Sequence, residues 1–100
     1  MLCGGAGKSQ PPTAEEKAKL EKCLQENLEE HLGSKPPSVE VLQVAKQIVS
    51  GTNYFVKVKI GDNEFIHARI YEKLLHEGRT LHLHKVQKDK THADPVVYFE

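Results

Sequence analysis

The chain has 100 residues, of which 38% are hydrophobic and 28% are charged. This length suits a single compact domain, 1–100, that buries a core without disulfides or a metal. The 14 basic residues balance the 14 acidic ones, which argues against nucleic acid or an anionic membrane as a partner.

No stretch approaches the ~18 consecutive apolar residues that span a bilayer, and Met1 to Lys8 lack the apolar run of a signal peptide. The two cysteines, Cys3 and Cys23, do not resemble the framework of a disulfide-rich secreted domain. We therefore expect a soluble protein of the reducing cytoplasm.

The first element is a flexible N-terminal arm, 1–12, which is rich in glycine, lacks periodicity and ends in two prolines. Thr13 then offers a helix N-cap, with Glu16 three residues later to complete a capping box. Leucines recur every four residues from Leu20 to Leu32, and Gly33 supplies a left-handed stop. The pattern predicts an amphipathic helix over roughly Ala14 to Leu32.

After Pro37 the sequence predicts β-strands. The first runs to Val49, and its alternation slips between Val41 and Leu42, which indicates a bulge. A cleaner alternation follows, typical of a half-buried antiparallel strand, and a Gly61–Asn63 turn leads to the next. The later strands are predicted at 52–60, 65–71, 81–86 and 96–99. The simplest assembly is an α+β fold with one helix across a twisted antiparallel sheet.

Residues that carry chemistry are few, and we predict no catalytic residue, no metal site and no cofactor. His82 and His84 form an H-x-H pair about 7 Å apart on one strand face, which is a possible start of a zinc site. Further ligands at a suitable spacing are not evident, although His67, His76 or His92 could approach in the fold. A small metal-binding or redox protein using His82, His84 and Cys3 remains the alternative function.

The turn region Gln47–Gly51 is unusual because hairpin tips are normally polar. It carries Ile48 and Val49, and adjacent strand residues point to opposite faces, so at least one of them is hard to bury. Each such side chain contributes roughly 1.5 to 3 kcal/mol when fully buried. The pattern indicates a surface that a partner covers.

At these residues the stretch QIVSGTNYF resembles the Q-x-V-x-G-T-N-Y-[FY] motif of the cystatins, and more closely the stefins, their intracellular type. The resemblance covers nearly the whole chain, including Cys3-Gly4 and the final Tyr98-Phe99. It implies a cystatin-like fold, with one long helix packed across a twisted five-stranded antiparallel sheet. It also implies a reversible, tight-binding inhibitor of papain-like cysteine proteases, the cathepsin L, S, H and B class.

The resemblance further implies a wedge, made of the arm and two hairpin tips, that occludes the protease cleft. The protease-binding residues carried over from it are Leu2, Cys3, Gly4, Gln47, Ile48, Val49, Ser50, Gly51, Leu81 and His82. We expect a monomer, with a domain-swapped or Cys3-linked dimer left open.

Four positions depart from the stefin pattern. Ile48 and Ser50 stand where Val and Ala are usual, and Leu75 and Thr80 stand where prolines flank the second loop in mammalian stefins. The last two leave open a cystatin-fold scaffold that has lost inhibition and serves another partner.

Overall fold

The computed structural model describes residues 7–73 and 80–99 of the chain. In these ranges one helix and four strands follow in the order α1 (Ala14–Leu32), β1 (Glu40–Val49), β2 (Gly51–Gly61), β3 (Glu64–Glu72) and β4 (Leu81–Lys90). The strands form one antiparallel sheet in the order β1-β2-β3-β4. The predicted arrangement of one helix on an antiparallel sheet is confirmed.

Helix α1 begins and ends where its capping residues predict. The Thr13 hydroxyl accepts a hydrogen bond from the Glu16 N–H at 3.1 Å, and the Thr13 N–H donates to the Glu16 carboxylate at 3.0 Å. Gly33 takes the left-handed conformation with φ 83° and donates its N–H to the Glu29 carbonyl. Both ends of the helix therefore satisfy backbone groups that would otherwise lack partners.

The face of the sheet that α1 covers, here called the inner face, holds the main core. Leu20, Leu24 and Leu28 of the helix are fully buried, and Cys23 lies beside them. Opposite them are the inner-face side chains of the sheet: Val41, Val44, Tyr54, Val56, Val58, Ile66, Ala68 and Ile70. The four-residue spacing of the leucines thus produces the apolar stripe that the sheet requires.

The opposite face, here called the outer face, is also covered, which corrects one expectation. We predicted that β2 is half-buried, but Phe55 and Lys57 on its outer face are only 0% and 2% exposed. The covering segment is residues 91–99: the ring of Phe55 lies 5.3 Å from that of Tyr98 and 5.7 Å from that of Phe99.

The strand predicted at 96–99 is wrong, because residues 91–99 cross the outer face as an irregular segment. The Lys57 ammonium donates to the carbonyls of Thr91, His92 and Asp94, at 2.6, 2.9 and 2.6 Å. Tyr98 and Phe99 then pack on the ring of Phe55, so the end of the segment lies against the face of the sheet and not along an edge where it could pair as a strand. Strand β4 instead runs on to Lys90, and the sheet within the described ranges has four strands rather than five.

The two outer strands of the sheet differ. Beside β1, the Gly7 N–H donates to the Lys46 carbonyl at 2.8 Å, and Gln10 forms an antiparallel bridge with Val44. The predicted bulge in β1 is confirmed by a register shift between Val41 and Gln43. On β4 the exposed side chains are polar: His82, His84, Lys85, Lys88 and Asp89.

No helix in the described ranges is both long and apolar enough to cross a membrane.

Candidate functional site

The tip of the β1–β2 hairpin is narrow and apolar. The register pairs Val49 with Gly51, so that Ser50 alone connects the two strands. Ile48 is 75% exposed and Val49 is 49% exposed. The sequence-based expectation that this turn leaves hydrocarbon uncovered is therefore confirmed for both side chains.

Gln47 lies at the base of the same tip, but its side chain is engaged within the protein. It is 9% exposed, and its Oε1 accepts a hydrogen bond of 2.9 Å from Nδ2 of Asn53, which is 5% exposed. The two residues face each other across β1 and β2. Their bond stabilises the hairpin just below Ile48, in a buried position where an unpaired amide would be costly.

Gly51 lies against strand β3 in a conformation that side chains rarely adopt, with φ 118°. A Cβ at this position would lie 2.5 Å from the Glu72 carbonyl oxygen and 2.6 Å from the Tyr71 hydroxyl. The Tyr71 hydroxyl also donates a hydrogen bond to the Ser50 carbonyl. The glycine therefore allows the tip to pack directly on Tyr71 and Glu72.

Glu72 connects this region to the helix. Its carboxylate accepts hydrogen bonds from the Tyr54 hydroxyl at 2.8 Å and from the Lys19 ammonium at 3.2 Å. Burial opposes the charge on Lys19, but the hydrogen bonds with Tyr54 and Glu72 outweigh it and raise the pKa of Lys19. Sequence reasoning missed Tyr71 and Glu72, because their register opposite Thr52 and Asn53 is a long-range pairing that periodicity does not report.

The second predicted tip contributes one exposed residue and one that is partly buried. His82 is exposed and pairs with Tyr71, whereas Leu81 pairs with Glu72 and packs against the core. The register therefore aligns Gln47, Asn53, Tyr71 and His82 in one row across the four strands. Thr80 is exposed next to Leu81, while Leu75 lies outside the described residues.

The predicted arm residues Leu2, Cys3 and Gly4 also lie outside the described residues. The first described residue is Gly7, whose N–H donates to the carbonyl of Lys46. Because Lys46 directly precedes Gln47, the described part of the N-terminal segment begins beside the base of the hairpin tip.

The remaining histidines and Cys23 have other surroundings. His84 stacks on Tyr71 with ring centroids 5.8 Å apart, and burial, Arg69 and His82 lower its pKa. His67 is 2% exposed, and burial together with Lys57 and Lys90 lowers its pKa to about 4. Burial also raises the pKa of the Cys23 thiol.

Metal ligands are not grouped in the part of the chain that the structure describes: it brings no three His, Cys, Asp or Glu side chains together at a metal-binding spacing. Of the three residues in the alternative metal or redox site, Cys3 lies outside the described residues.

The sequence matches proteins whose family agrees with this architecture. A family model described as the cystatin domain matches residues 7–93. Cystatin-B of Bos taurus and of Pan troglodytes are each 38% identical over 99 residues, and cystatin-B of Homo sapiens is 37% identical over 99 residues. Each match covers 99% of this chain and 100% of the relative.

Cystatin-B is also called stefin B, so these relatives agree with the resemblance to the stefins that the sequence shows. The match spans the helix, the hairpin tip and the strands described above. The chain therefore belongs to the cystatin family, whose members inhibit cysteine proteases and are not enzymes.

Proposed function

We propose that this protein inhibits papain-like cysteine proteases of the cathepsin L, S, H and B classes by reversible, tight occlusion of the active-site cleft. The observation that carries the proposal is the exposure of Ile48 and Val49 at the end of a two-stranded hairpin, 75% and 49%. Covering each side chain contributes up to roughly 1.5 to 3 kcal/mol to binding.

The tip is preformed, which favours tight binding. The β1–β2 pairing continues to Val49 and Gly51, and the Gln47–Asn53 hydrogen bond closes the hairpin just behind it. A surface that is already ordered loses little conformational entropy on binding, and this raises affinity for a given buried area. Inhibition then requires no chemistry from the inhibitor, because the tip fills the cleft.

The position of Gly7 supports a contribution from the arm. Gly4 precedes Gly7 by three residues, which span at most about 10 Å of extended chain. Since Gly7 lies beside Lys46, the segment from Gly4 to Gly7 ends beside the base of the hairpin tip. We propose that Leu2 and Cys3 occupy the subsites before the scissile position and that Gly4 allows close approach.

His82 supplies the third contact in this proposal. It is exposed in the row that begins at Gln47, whereas the partial burial of Leu81 limits that side chain to a supporting role. The proposed complex contains one inhibitor and one protease. We assign the inhibitor itself to the cytoplasm, where a thiol such as that of Cys23 stays reduced.

The proposal is tested by titrating nanomolar papain, and then a cathepsin L-class protease, with the full chain. We expect stoichiometric, reversible inhibition and an intact inhibitor after dissociation. Val49→Asp should weaken inhibition at least tenfold, because it places a charge on a surface that the protease covers.

Val97→Asp is the matched control, since Val97 is 57% exposed but lies on the C-terminal segment. It should inhibit like the wild type. No inhibition by the wild type at micromolar concentration would refute the proposed function. Equal losses of inhibition in both variants would show that the hairpin tip makes no specific contribution.

A further inference from the structure

The tip of the β1–β2 hairpin is held by a contact from outside the hairpin. The pairing of β1 with β2 ends at Val49 and Gly51, so Ser50 between them has no partner in that pairing. Its carbonyl instead accepts a hydrogen bond from the hydroxyl of Tyr71 in β3. This side chain therefore restrains the one residue that the pairing leaves unrestrained.

Gly51 makes that contact possible. A Cβ on Gly51 would lie 2.6 Å from the Tyr71 hydroxyl and 2.5 Å from the Glu72 carbonyl oxygen, so one of these groups would have to move. With glycine, the hydroxyl reaches the Ser50 carbonyl over the backbone of residue 51. The glycine of the Q-x-V-x-G pattern thus has a role within the inhibitor in addition to any contact with a protease.

Tyr71 is itself held in place on two sides. Its ring stacks on the imidazole of His84, with centroids 5.8 Å apart and planes 26° apart. Its backbone pairs with Asn53 on one neighbouring strand and with His82 on the other. The hydroxyl therefore projects from a ring that packing and strand pairing already orient.

The next residue fixes the same point of β3 to the rest of the fold. Glu72 binds the Tyr54 hydroxyl and the Lys19 ammonium, and the Lys19 nitrogen lies 5.2 Å from the centre of the Tyr54 ring. Only 12% of the Glu72 side chain and 28% of the Lys19 side chain are exposed. Helix α1 thereby anchors the part of β3 on which the tip rests.

We propose that Tyr71 is a positioning residue for inhibition, and that its hydroxyl holds Ser50 in the conformation that enters the protease cleft. The inference rests on the proposed function. Without the hydroxyl the tip samples other conformations in the free inhibitor, and binding has to select the competent one. Tyr71 need not touch the protease to act in this way.

The test compares Tyr71→Phe with the wild type in complexes with papain. The substitution keeps the ring that stacks on His84 and removes only the hydroxyl. We expect an inhibition constant three- to tenfold higher, the range that loss of one hydrogen bond produces, with the change mainly in slower association. The melting temperature should fall by no more than about 8 °C, the shift expected for one hydrogen bond in a domain of this size, and amide exchange at 49–51 should accelerate in the free inhibitor.

Tyr98→Phe is the matched control, because it removes a hydroxyl from a ring that packs on Phe55 on the C-terminal segment. It should inhibit papain with the wild-type inhibition constant. If the wild type inhibits papain and Tyr71→Phe has the same inhibition constant, the positioning role is refuted while the proposed function stands. A fall in melting temperature well above 10 °C in Tyr71→Phe would also refute it, because the hydroxyl would then support the whole fold.

Discussion

The two faces of the sheet bury side chains of different chemical kinds. On the inner face, helix α1 covers aliphatic side chains, with Leu20, Leu24 and Leu28 at its centre. The outer face buries an aromatic cluster around Phe55, and beside it the charged side chain of Lys57, which is only 2% exposed. Apolar burial is not directional, whereas a buried polar group requires a partner in a defined place. The inner face therefore supplies most of the stability, and the outer face determines where the irregular segments lie.

The largest effect should come from the inner face. Leu24→Ala removes a fully buried side chain and leaves a cavity beneath the helix, so we expect a loss of about 3 to 4 kcal/mol in the free energy of unfolding. Urea denaturation measures it. Papain inhibition at a temperature where the variant is folded should be unchanged. A loss below 1 kcal/mol would contradict the view that this face dominates stability.

The outer face should respond next, at Lys57. Lys57→Met leaves the carbonyls of Thr91, His92 and Asp94 without their donor. We expect the free energy of unfolding to fall by about 2 to 3 kcal/mol. Urea denaturation provides the value. Lys59→Met, two residues along the same strand, serves as the control and should change stability by less than about 0.5 kcal/mol. Equal losses would mean that the carbonyl contacts contribute nothing specific.

Low pH should lower the free energy of unfolding through His67 on the outer face. Its pKa in the folded protein is about 4, below the ordinary value of 6.5, so the unfolded chain binds more protons between these two values. The contribution of the neutral imidazole is complete above pH 6.5 and is lost as the pH falls toward 4. It is on the order of 2 kcal/mol.

Denaturation from pH 7 to pH 4 measures this effect as a slope. His67→Gln removes the titrating group and should make the loss of stability with falling pH shallower than in the wild type. The assignment is wrong if His67→Gln and the wild type lose stability in parallel.

The smallest effect should be at Gln47 and Asn53. Gln47→Ala and Asn53→Ala should each lower the free energy of unfolding by about 1 kcal/mol. A double-mutant cycle should give a coupling energy of about 0.5 to 1.5 kcal/mol. The coupling reports their hydrogen bond across the hairpin. Strict additivity of the two losses would show that the bond does not contribute.

The sequence predicts the elements whose causes are local. Thr13, Glu16 and Gly33 mark the ends of α1, because the capping partners lie three or four residues apart. The hairpin tip was recognisable because Ile48 and Val49 are apolar where turns are polar. The motif around them then identified the family.

The contacts that sequence reasoning missed are long-range. Tyr71 and Ser50 are 21 residues apart, and Lys57 and Thr91 are 34 residues apart. Periodicity along one strand reports which residues share a face, but not which distant segment covers that face. This is why β2 was expected to be half-exposed and why residues 96–99 were expected to form a strand.

Strand β4, the last in the sheet order, bears on how molecules of this protein meet each other. Its outward side chains include Lys85 and Lys88, and Asp89 adopts a left-handed φ of 57° near its end. Another molecule extending the sheet here in a two-fold arrangement would bring ammonium groups together and meet a kinked backbone. The strand therefore carries two features that disfavour edge-to-edge pairing of sheets, like charge and an irregular backbone.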